Sequence, residues 1–119
     1  MEERPQFSVG YETLSGDIGV VILVGEIDIY SAPEFKEVLV NGIEGGARKV
    51  IVDMSEVTFI DSTALGVLVS GAKRVRPRNG NLDIVCRDEN IIRIFEITGL
   101  DRIFSIFPSR GEAIKAAAP

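Results

Sequence analysis

Alternating and continuous runs of hydrophobic residues divide the chain into predicted strands and helices. Apolar and polar or small residues alternate over 7–13, which is the period of a half-exposed strand. After a turn predicted at 14–17, the stretch 20–24 is apolar on both faces. We therefore expect an interior strand there, paired antiparallel to the first strand and ending at Gly25.

The first helix is predicted to begin after Ser31. This serine and Glu34 have the spacing of a capping box, and Pro33 suits the first helical turn. Four apolar residues then share one helical face: Phe35, Val38, Leu39 and Ile43. The glycine pair at 45–46 is expected to end the helix.

A second helix follows a buried strand at 49–53 and a loop at 53–62 that begins with Asp53. Its first turn carries Asp61, Ser62 and Thr63, residue types that cap helices by accepting hydrogen bonds from unpaired amides. Apolar residues recur behind them at helical spacing: Leu65, Leu68, Val69, Ala72 and Val75. The basic residues Lys73, Arg74 and Arg76 then complement the negative end of the helix dipole, and a recognition role for them stays open.

The remaining chain predicts a strand at 82–86, a helix from Asp88 to Gly99, a short strand at 103–107 and a terminal helix that begins with a Ser109–Glu112 capping box. The order is β-β-α-β-α-β-α-β-α. We expect one α/β domain over 1–119, with a mixed, mostly parallel sheet and an antiparallel N-terminal strand.

Composition excludes several classes of function. The 119 residues contain no histidine and one cysteine, Cys86, so an ordinary zinc site, a histidine-dependent triad and an internal disulfide are not expected. The net charge of −5 disfavours nucleic-acid partners. No apolar run is long enough to span a membrane, and 1–5 lacks the order of a secretory signal, so we expect a soluble, cytoplasmic protein. Cys86 is predicted to be a small core residue.

Acidic residues occur in three loops that should follow strands, at 25–30, 53–62 and 87–89. One interpretation is an aspartyl-phosphate receiver in which Asp53 accepts the phosphoryl group while Glu26 and Asp28 help to hold Mg²⁺. A receiver also needs a lysine directly after its last strand. In this sequence that place reads Phe-Pro-Ser-Arg at 107–110, with Arg110 and without a lysine. Ser62 has no base nearby except Asp61, so it is a poor nucleophile and catalysis by this chain is not expected.

The stretch 59–68, Phe-Ile-Asp-Ser-Thr-Ala-Leu-Gly-Val-Leu, resembles the phosphorylation motif of the STAS domain family, the bacterial anti-sigma factor antagonists. Gly-Glu-Ile-Asp at 25–28, Ile-Val-Asp-Met at 51–54 and the stretch 94–100 also resemble that family, so the similarity covers about 7–116. In the resemblance Ser62 matches the phosphoacceptor serine. Ala64, where many members have glycine, and Thr63, in place of a second serine, depart from the pattern; whether Thr63 is also modified stays open.

The resemblance implies partner switching in stress response or sporulation. The unphosphorylated protein, a monomer when free, would bind an anti-sigma factor that is also a serine kinase and so release the sigma factor. The kinase, which carries the ATP, would phosphorylate Ser62 and end the complex, and a serine phosphatase would restore it. This chain would need no cofactor or metal. The expected partner-binding residues are Glu26, Asp28, Tyr30, Asp61, Ser62, Thr63, Ala64 and Gly66. The alternative is a receiver or a small-ligand-binding regulatory domain.

Overall fold

The computed structural model describes residues 7–14 and 16–118; Ser15 of the predicted turn and the N-terminal stretch 1–5 lie outside the described residues. The strands are β1 (Phe7–Thr13), β2 (Ile18–Ile27), β3 (Lys49–Ile60), β4 (Asn81–Val85) and β5 (Ile106–Phe107). The helices are α1 (Ala32–Glu44), α2 (Ser62–Val75), α3 (Glu89–Thr98) and α4 (Arg110–Ala117), with single 3-10 turns at Arg76–Arg78 and Leu100–Arg102. The predicted order of elements is confirmed.

The strands form one sheet in the order β1-β2-β3-β4-β5. A tight connection lets β1 pair antiparallel to β2, whereas each later strand returns through a helix and pairs parallel to its neighbour. The mixed, mostly parallel sheet is therefore confirmed. Successive residues of a strand face opposite sides, so Val21 and Val52 belong to the main core while Val20 and Ile51 belong to a smaller one.

Most of the apolar burial lies on the face covered by α1, α2 and α3, where Phe35, Leu68 and Phe95 are fully buried. The opposite face is covered by α4 through Ala113 and Ala117. Because these side chains are small, polar contacts hold both ends of α4: Arg110 contacts strands β1 and β3, and the Lys49 ammonium donates to the Ala117 carbonyl oxygen at 2.6 Å.

Strand β3 is longer than predicted, because the expected loop at 53–62 is strand as far as Ile60. The buried residues Met54, Val57 and Ile60 are spaced by three, a spacing that does not suggest a strand. Two register shifts against β2 each insert one extra residue into β3. These bulges turn a spacing of three into continued burial on one face.

The prediction that Gly25 ends β2 is also wrong, since the strand continues to Ile27. Gly25 has a φ of +91°, and it stands beside the second register shift. A glycine adopts this backbone conformation without steric cost, so the strand can bend there and continue. The two added residues carry the chain to the point where β3 ends.

At the C-terminal side, the predicted strand at 103–107 is confirmed only for Ile106–Phe107. Phe104 instead turns inward and packs against Phe95, with ring centroids 6.2 Å apart. The caps predicted for α3 and α4 are confirmed, because Asp88 and Ser109 accept hydrogen bonds from first-turn amides. Cys86 is buried and unpaired, as expected for a core residue.

Candidate functional site

The ends of β2 and β3 bring the two predicted partner-binding segments together. Ile27 and Ile60 are register partners at the last position of the parallel pair, and the Asp61 amide donates to the Ile27 carbonyl oxygen at 3.2 Å. The loop that follows Ile27 and the first turn of α2 therefore form one surface, as the sequence predicted. Parallel pairing places them at the same edge of the sheet.

Asp61 is the residue that caps α2. Its backbone is extended, its carboxylate accepts from the Ala64 amide at 3.1 Å, and its carbonyl accepts from the Leu65 amide at 3.1 Å. Ser62 and Thr63 follow as the first two helical residues, both exposed. Within the part of the chain that the structure describes, the Ser62 hydroxyl makes no hydrogen bond, so it takes no part in capping the helix.

Ala64 is fully buried, with 0% of its surface exposed, and packs in the main core. The prediction that it belongs to the partner-binding surface is wrong, because the third residue of α2 faces the sheet rather than the solvent. Gly66, by contrast, is exposed, and a Cβ added to it would meet no other heavy atom within 4 Å. Its position leaves open space at the surface of α2.

The loop before α1 is held by Asp28 and Ser31. The Asp28 carboxylate accepts hydrogen bonds from the amides of Tyr30 at 2.9 Å and Ser31 at 3.2 Å. In return, the buried Ser31 hydroxyl accepts a hydrogen bond from the Asp28 amide at 2.8 Å. The same hydroxyl donates to the Glu26 carbonyl oxygen at 2.9 Å. The predicted capping box of Ser31 with Glu34 is wrong, because this hydroxyl faces back toward the loop instead of the helix.

The loop contacts also set the charge of Asp28. Partial burial raises the pKa of this carboxyl, but the hydrogen bonds from Ser31 and Tyr30 outweigh burial and leave the pKa below its usual value. Asp28 is therefore ionised at neutral pH. With Glu26 and Asp61 it gives this edge of the sheet an acidic character.

Large apolar side chains are exposed around the acidic residues. Tyr30 is 87% exposed, Ile29 60% and Phe59 48%. Exposed apolar residues beside polar ones are typical of protein-binding surfaces. Tyr30 was predicted as a contact residue, and Ile29 lies in the same predicted contact loop at 26–30. Phe59 was not predicted, because in sequence it looks like an ordinary strand or loop residue.

A groove opens between α1 and α2 next to this surface, with a volume of about 430 Å³. Its lining residues are Ile29, Ala32, Pro33, Lys36, Thr63, Gly66, Val67 and Ser70. Thr63 and Gly66, both predicted partner-binding residues, therefore share the groove with residues of α1. The lining is mainly apolar or small.

Asp53 belongs to a separate place on the molecule. Its carboxylate accepts from the Arg110 guanidinium at 2.9 Å and from the Ser55 amide at 3.0 Å. Burial raises the pKa of Asp53, but the hydrogen bonds from Ser55 and Arg110 outweigh it, and the pKa is lower than usual. The register partner of Asp53 on β2 is Ile22, four residues before Glu26 and about 13 Å along the strand.

This separation bears on the receiver interpretation, which needs Glu26 and Asp28 beside Asp53. The described residues contain no group of three acidic, histidine or cysteine side chains placed to hold a metal ion. The guanidinium of Arg110 already neutralises the Asp53 carboxylate. Glu26, Asp28 and Asp61 thus lie together where β2 and β3 end, and Asp53 lies apart from them.

None of the helices among the described residues is long and apolar enough to cross a membrane.

Known proteins resemble this chain in sequence and in fold. The family model described as STAS domain matches residues 13–113. The anti-sigma-B factor antagonist of Bacillus subtilis (strain 168) is 44% identical over 86 residues, which cover 72% of this chain and 78% of that protein.

Two solved structures share the fold. A crystal structure of an anti-sigma factor antagonist from Mycobacterium paratuberculosis has a TM-score of 0.88 at 23% identity and covers 98% of both chains. The Bacillus cell fate determinant SpoIIAA, solved in its phosphorylated form, has a TM-score of 0.75 at 17% identity, over 93% of this chain and 100% of that one. By the family model and the Bacillus subtilis relative together, this chain belongs to the STAS domain family.

Proposed function

We propose that this protein is an anti-sigma factor antagonist and that Ser62 is its switch. The unphosphorylated protein binds an anti-sigma factor and so releases a sigma factor for transcription. The anti-sigma factor, acting as a serine kinase with its own bound ATP, phosphorylates Ser62 and the complex dissociates; a serine phosphatase reverses the modification. The chain itself performs no catalysis, and it acts in the cytoplasm, where the sigma factor works.

The exposed hydroxyl of Ser62, which makes no hydrogen bond among the described residues, carries this proposal. Because the Asp61 carboxylate supplies the cap of α2, the Ser62 hydroxyl has no task in the fold that would explain it. The relative from Bacillus subtilis is named an anti-sigma-B factor antagonist, and SpoIIAA, which shares the fold, has been solved phosphorylated. The name supports the antagonist role, and the phosphorylated structure supports phosphorylation in a protein of this fold.

The physics of a phosphate at this position favours a switch in binding. Phosphorylation adds a charge of about −1.5 to −2 at neutral pH and three acceptor oxygens. The first amides of α2 have no intrahelical acceptor, so the helix itself tolerates the new charge. A partner surface fitted to a neutral hydroxyl beside Asp61 and Asp28 does not, and a loss of roughly 3 kcal/mol weakens binding more than a hundredfold.

The contact surface that we assign to the partner has an acidic and an apolar component. Glu26, Asp28 and Asp61 supply the carboxylates, and the exposed side chains of Ile29 and Tyr30 supply apolar area at the same edge. Apolar anchors give affinity in protein interfaces, while surrounding charges orient the partner and raise the association rate. A protein partner fits this composition better than a small molecule.

The first test is phosphorylation by the purified anti-sigma factor of the host organism with radiolabelled ATP. Wild type and Thr63→Val should accept the label, and Ser62→Ala should not. The label should survive acid, because a phosphoserine ester is stable where an aspartyl phosphate hydrolyses. Label retained in Ser62→Ala, or an acid-labile phosphate, contradicts the assignment of Ser62.

The second test separates charge from size at the switch. Titration calorimetry with the same anti-sigma factor should give near wild-type affinity for Ser62→Ala and only a few-fold loss for Ser62→Asn. Ser62→Asp, which has almost the same shape as asparagine, should bind about a hundredfold more weakly. Equal losses for Ser62→Asn and Ser62→Asp would show that size, not charge, governs the complex.

A further inference from the structure

The groove between α1 and α2 extends well beyond the first turn of α2. A second recess of about 360 Å³ adjoins the first and is lined by Pro33, Lys36, Glu37, Val40, Asn41 and Arg74. The linings of both recesses include Pro33 and Lys36, so the recesses lie side by side between α1 and α2, and together we call them the interhelical groove. It runs from Thr63 at the start of α2 to Arg74 in its last turn.

Small residues keep the interhelical groove open. Gly66 and Ser70 line it from α2, and a Cβ at Gly66 would meet no neighbour within 4 Å. The helices do pack tightly further in, where a Cβ at Gly71 would press on the side chain of Leu39. The two helices are thus in contact on the core side and apart on the solvent side, which leaves a surface channel rather than a cavity in the core.

The charges along the groove are not uniform. Lys36 and Arg74 border its second recess, with Lys73 adjacent and Glu37 the carboxylate among the lining residues. Among residues 7–14 and 16–118, these three cations make no ion pair within 4 Å. In a chain of net charge −5, this groove end is cationic, whereas the Ser62 end adjoins the acidic surface.

We propose that the interhelical groove receives an amphipathic helix of the anti-sigma factor. The apolar face of that helix packs on the exposed Ile29 and Pro33, and an acidic side chain meets Lys36 and Arg74. This proposal rests on the proposed function and adds to it the second part of the interface. Two helices with an open channel between them suit a third helix, and the free cations call for an acidic partner residue.

The groove also explains how one phosphate could release an extended partner. Thr63, one residue from Ser62, lines the groove mouth. A helix seated along the groove therefore passes the modified serine, and the repulsion acts at one end of a contact that the apolar lining stabilises. The groove residues supply most of the affinity for the partner, and phosphorylation of Ser62 weakens the complex.

A matched pair of glycine substitutions tests the occupancy of the groove. Gly66→Leu adds a side chain at the groove, where a Cβ would meet no heavy atom within 4 Å, and Gly111→Leu adds one on α4, where a Cβ would meet only the Ser109 hydroxyl oxygen at 3.9 Å. Calorimetric titration with the anti-sigma factor should show binding weakened about tenfold or more for Gly66→Leu and unchanged for Gly111→Leu. Equal affinity of both variants overturns the proposal.

A charge-reversal pair tests the chemistry of the partner and does not depend on how Gly66→Leu folds. Lys36 and Arg93 are exposed cations, each the fifth residue of its helix. Lys36→Glu should weaken binding about three- to tenfold and reduce the dependence of the dissociation constant on NaCl, whereas Arg93→Glu should not. Identical salt dependence in the two variants contradicts an acidic side chain at the groove.

The outcomes separate this inference from the proposed function. If wild type fails to bind any anti-sigma factor of its host, the proposed function fails. If wild type binds but Gly66→Leu and Lys36→Glu bind equally well, the function stands and the groove proposal is wrong. Concentration-dependent sedimentation of the free chain that Gly66→Leu abolishes would make a second copy the occupant, and it would also overturn the proposal.

Discussion

The first turn of α2 assigns capping to Asp61 and leaves Ser62 free, and two neighbouring substitutions can test this division. Asp61→Ala removes the carboxylate that accepts from the Ala64 amide at 3.1 Å. Loss of an N-terminal cap costs about 1 kcal/mol, within a range of roughly 0.5–2 kcal/mol. Ser62→Ala removes a hydroxyl that makes no hydrogen bond among the described residues, so its cost should stay within about 0.5 kcal/mol.

These free energies convert into measurable melting temperatures. At about 2.1 cal/mol/K per residue, unfolding of 119 residues has an entropy near 250 cal/mol/K, so 1 kcal/mol corresponds to about 4 °C. Asp61→Ala should therefore lower the Tm by about 4 °C and Ser62→Ala by no more than about 2 °C. Asp61→Asn is the matched control, because asparagine caps nearly as well as aspartate and should keep most of the stability.

Thermal unfolding followed by circular dichroism, at one pH and one salt concentration, measures all three variants. A Tm for Ser62→Ala as low as that for Asp61→Ala would refute the reasoning. The hydroxyl would then be part of the fold, and an effect of Ser62 variants on binding could follow from damage to α2. If Ser62→Ala has the Tm of wild type and is no longer phosphorylated, then Ser62 serves the proposed switch and is not needed for the stability of the fold.

Three further predictions concern the rest of the fold. Arg110→Ala should cost about 2 kcal/mol at neutral pH, because the buried Asp53 carboxylate keeps its hydrogen bonds from Ser55 but loses its neutralising cation. The pKa of Asp53 is lowered in the folded protein. The contribution of the ion pair to stability is therefore complete above pH 3.8, the ordinary pKa of aspartate, and is lost as the pH falls through the lower pKa of the folded state. Urea titrations in which Arg110→Ala loses the same stability at neutral and at acid pH would contradict this. Burial raises the pKa of Asp83, so the ionised carboxylate lowers the stability of the folded protein at neutral pH. Asp83→Asn removes this charge and should raise the Tm at pH 7. A lower Tm would refute this reasoning. Gly80→Ala should cost about 2–3 kcal/mol, because its Cβ would overlap the Arg48 carbonyl oxygen, and an unchanged Tm would contradict that.

Local signals predicted the order of elements and most helix starts. Asp61, Asp88 and Ser109 all cap helices as expected, because an N-terminal cap depends on one side chain and amides only two or three residues away. Alternation over 7–13 gave β1 its observed bounds for the same reason. Where structure depends on neighbours in sequence, the sequence was sufficient.

The sequence-based predictions were wrong where contacts between elements that are distant in sequence determine the structure. β3 continues to Ile60 because β2 pairs with it through bulges, and spacing along one strand does not show how its partner is shifted. Ser31 has the sequence of a cap, yet its hydroxyl bonds backward because the loop from Glu26 needs those partners. Ala64 lies beside the exposed Ser62, but the rotation of α2 on the sheet buries it.

The sequence pointed to some residues of the candidate site and not to others, and whether they bind a partner stays a prediction. Ser62 and the acidic loop could be identified because a motif and its charges are contiguous in sequence. The groove could not, since Lys36 and Gly66 come from helices separated by all of β3 and meet only in the folded chain. Exposure of Phe59 likewise depends on its register opposite Glu26.

If Ser62 is the switch that we propose, its separation from the cap has a consequence for how the domain signals. If Ser62 capped α2, phosphorylation would remove a cap and strain the helix on which binding depends, and signalling would be linked to unfolding. With Asp61 as the cap, the helix start is complete before modification, and the remaining first-turn amides and the positive end of the helix dipole can stabilise the added negative charge. The modification can then change the outside of the molecule alone. A folded scaffold that keeps its shape in both states can be dephosphorylated and used again, which a reversible switch requires.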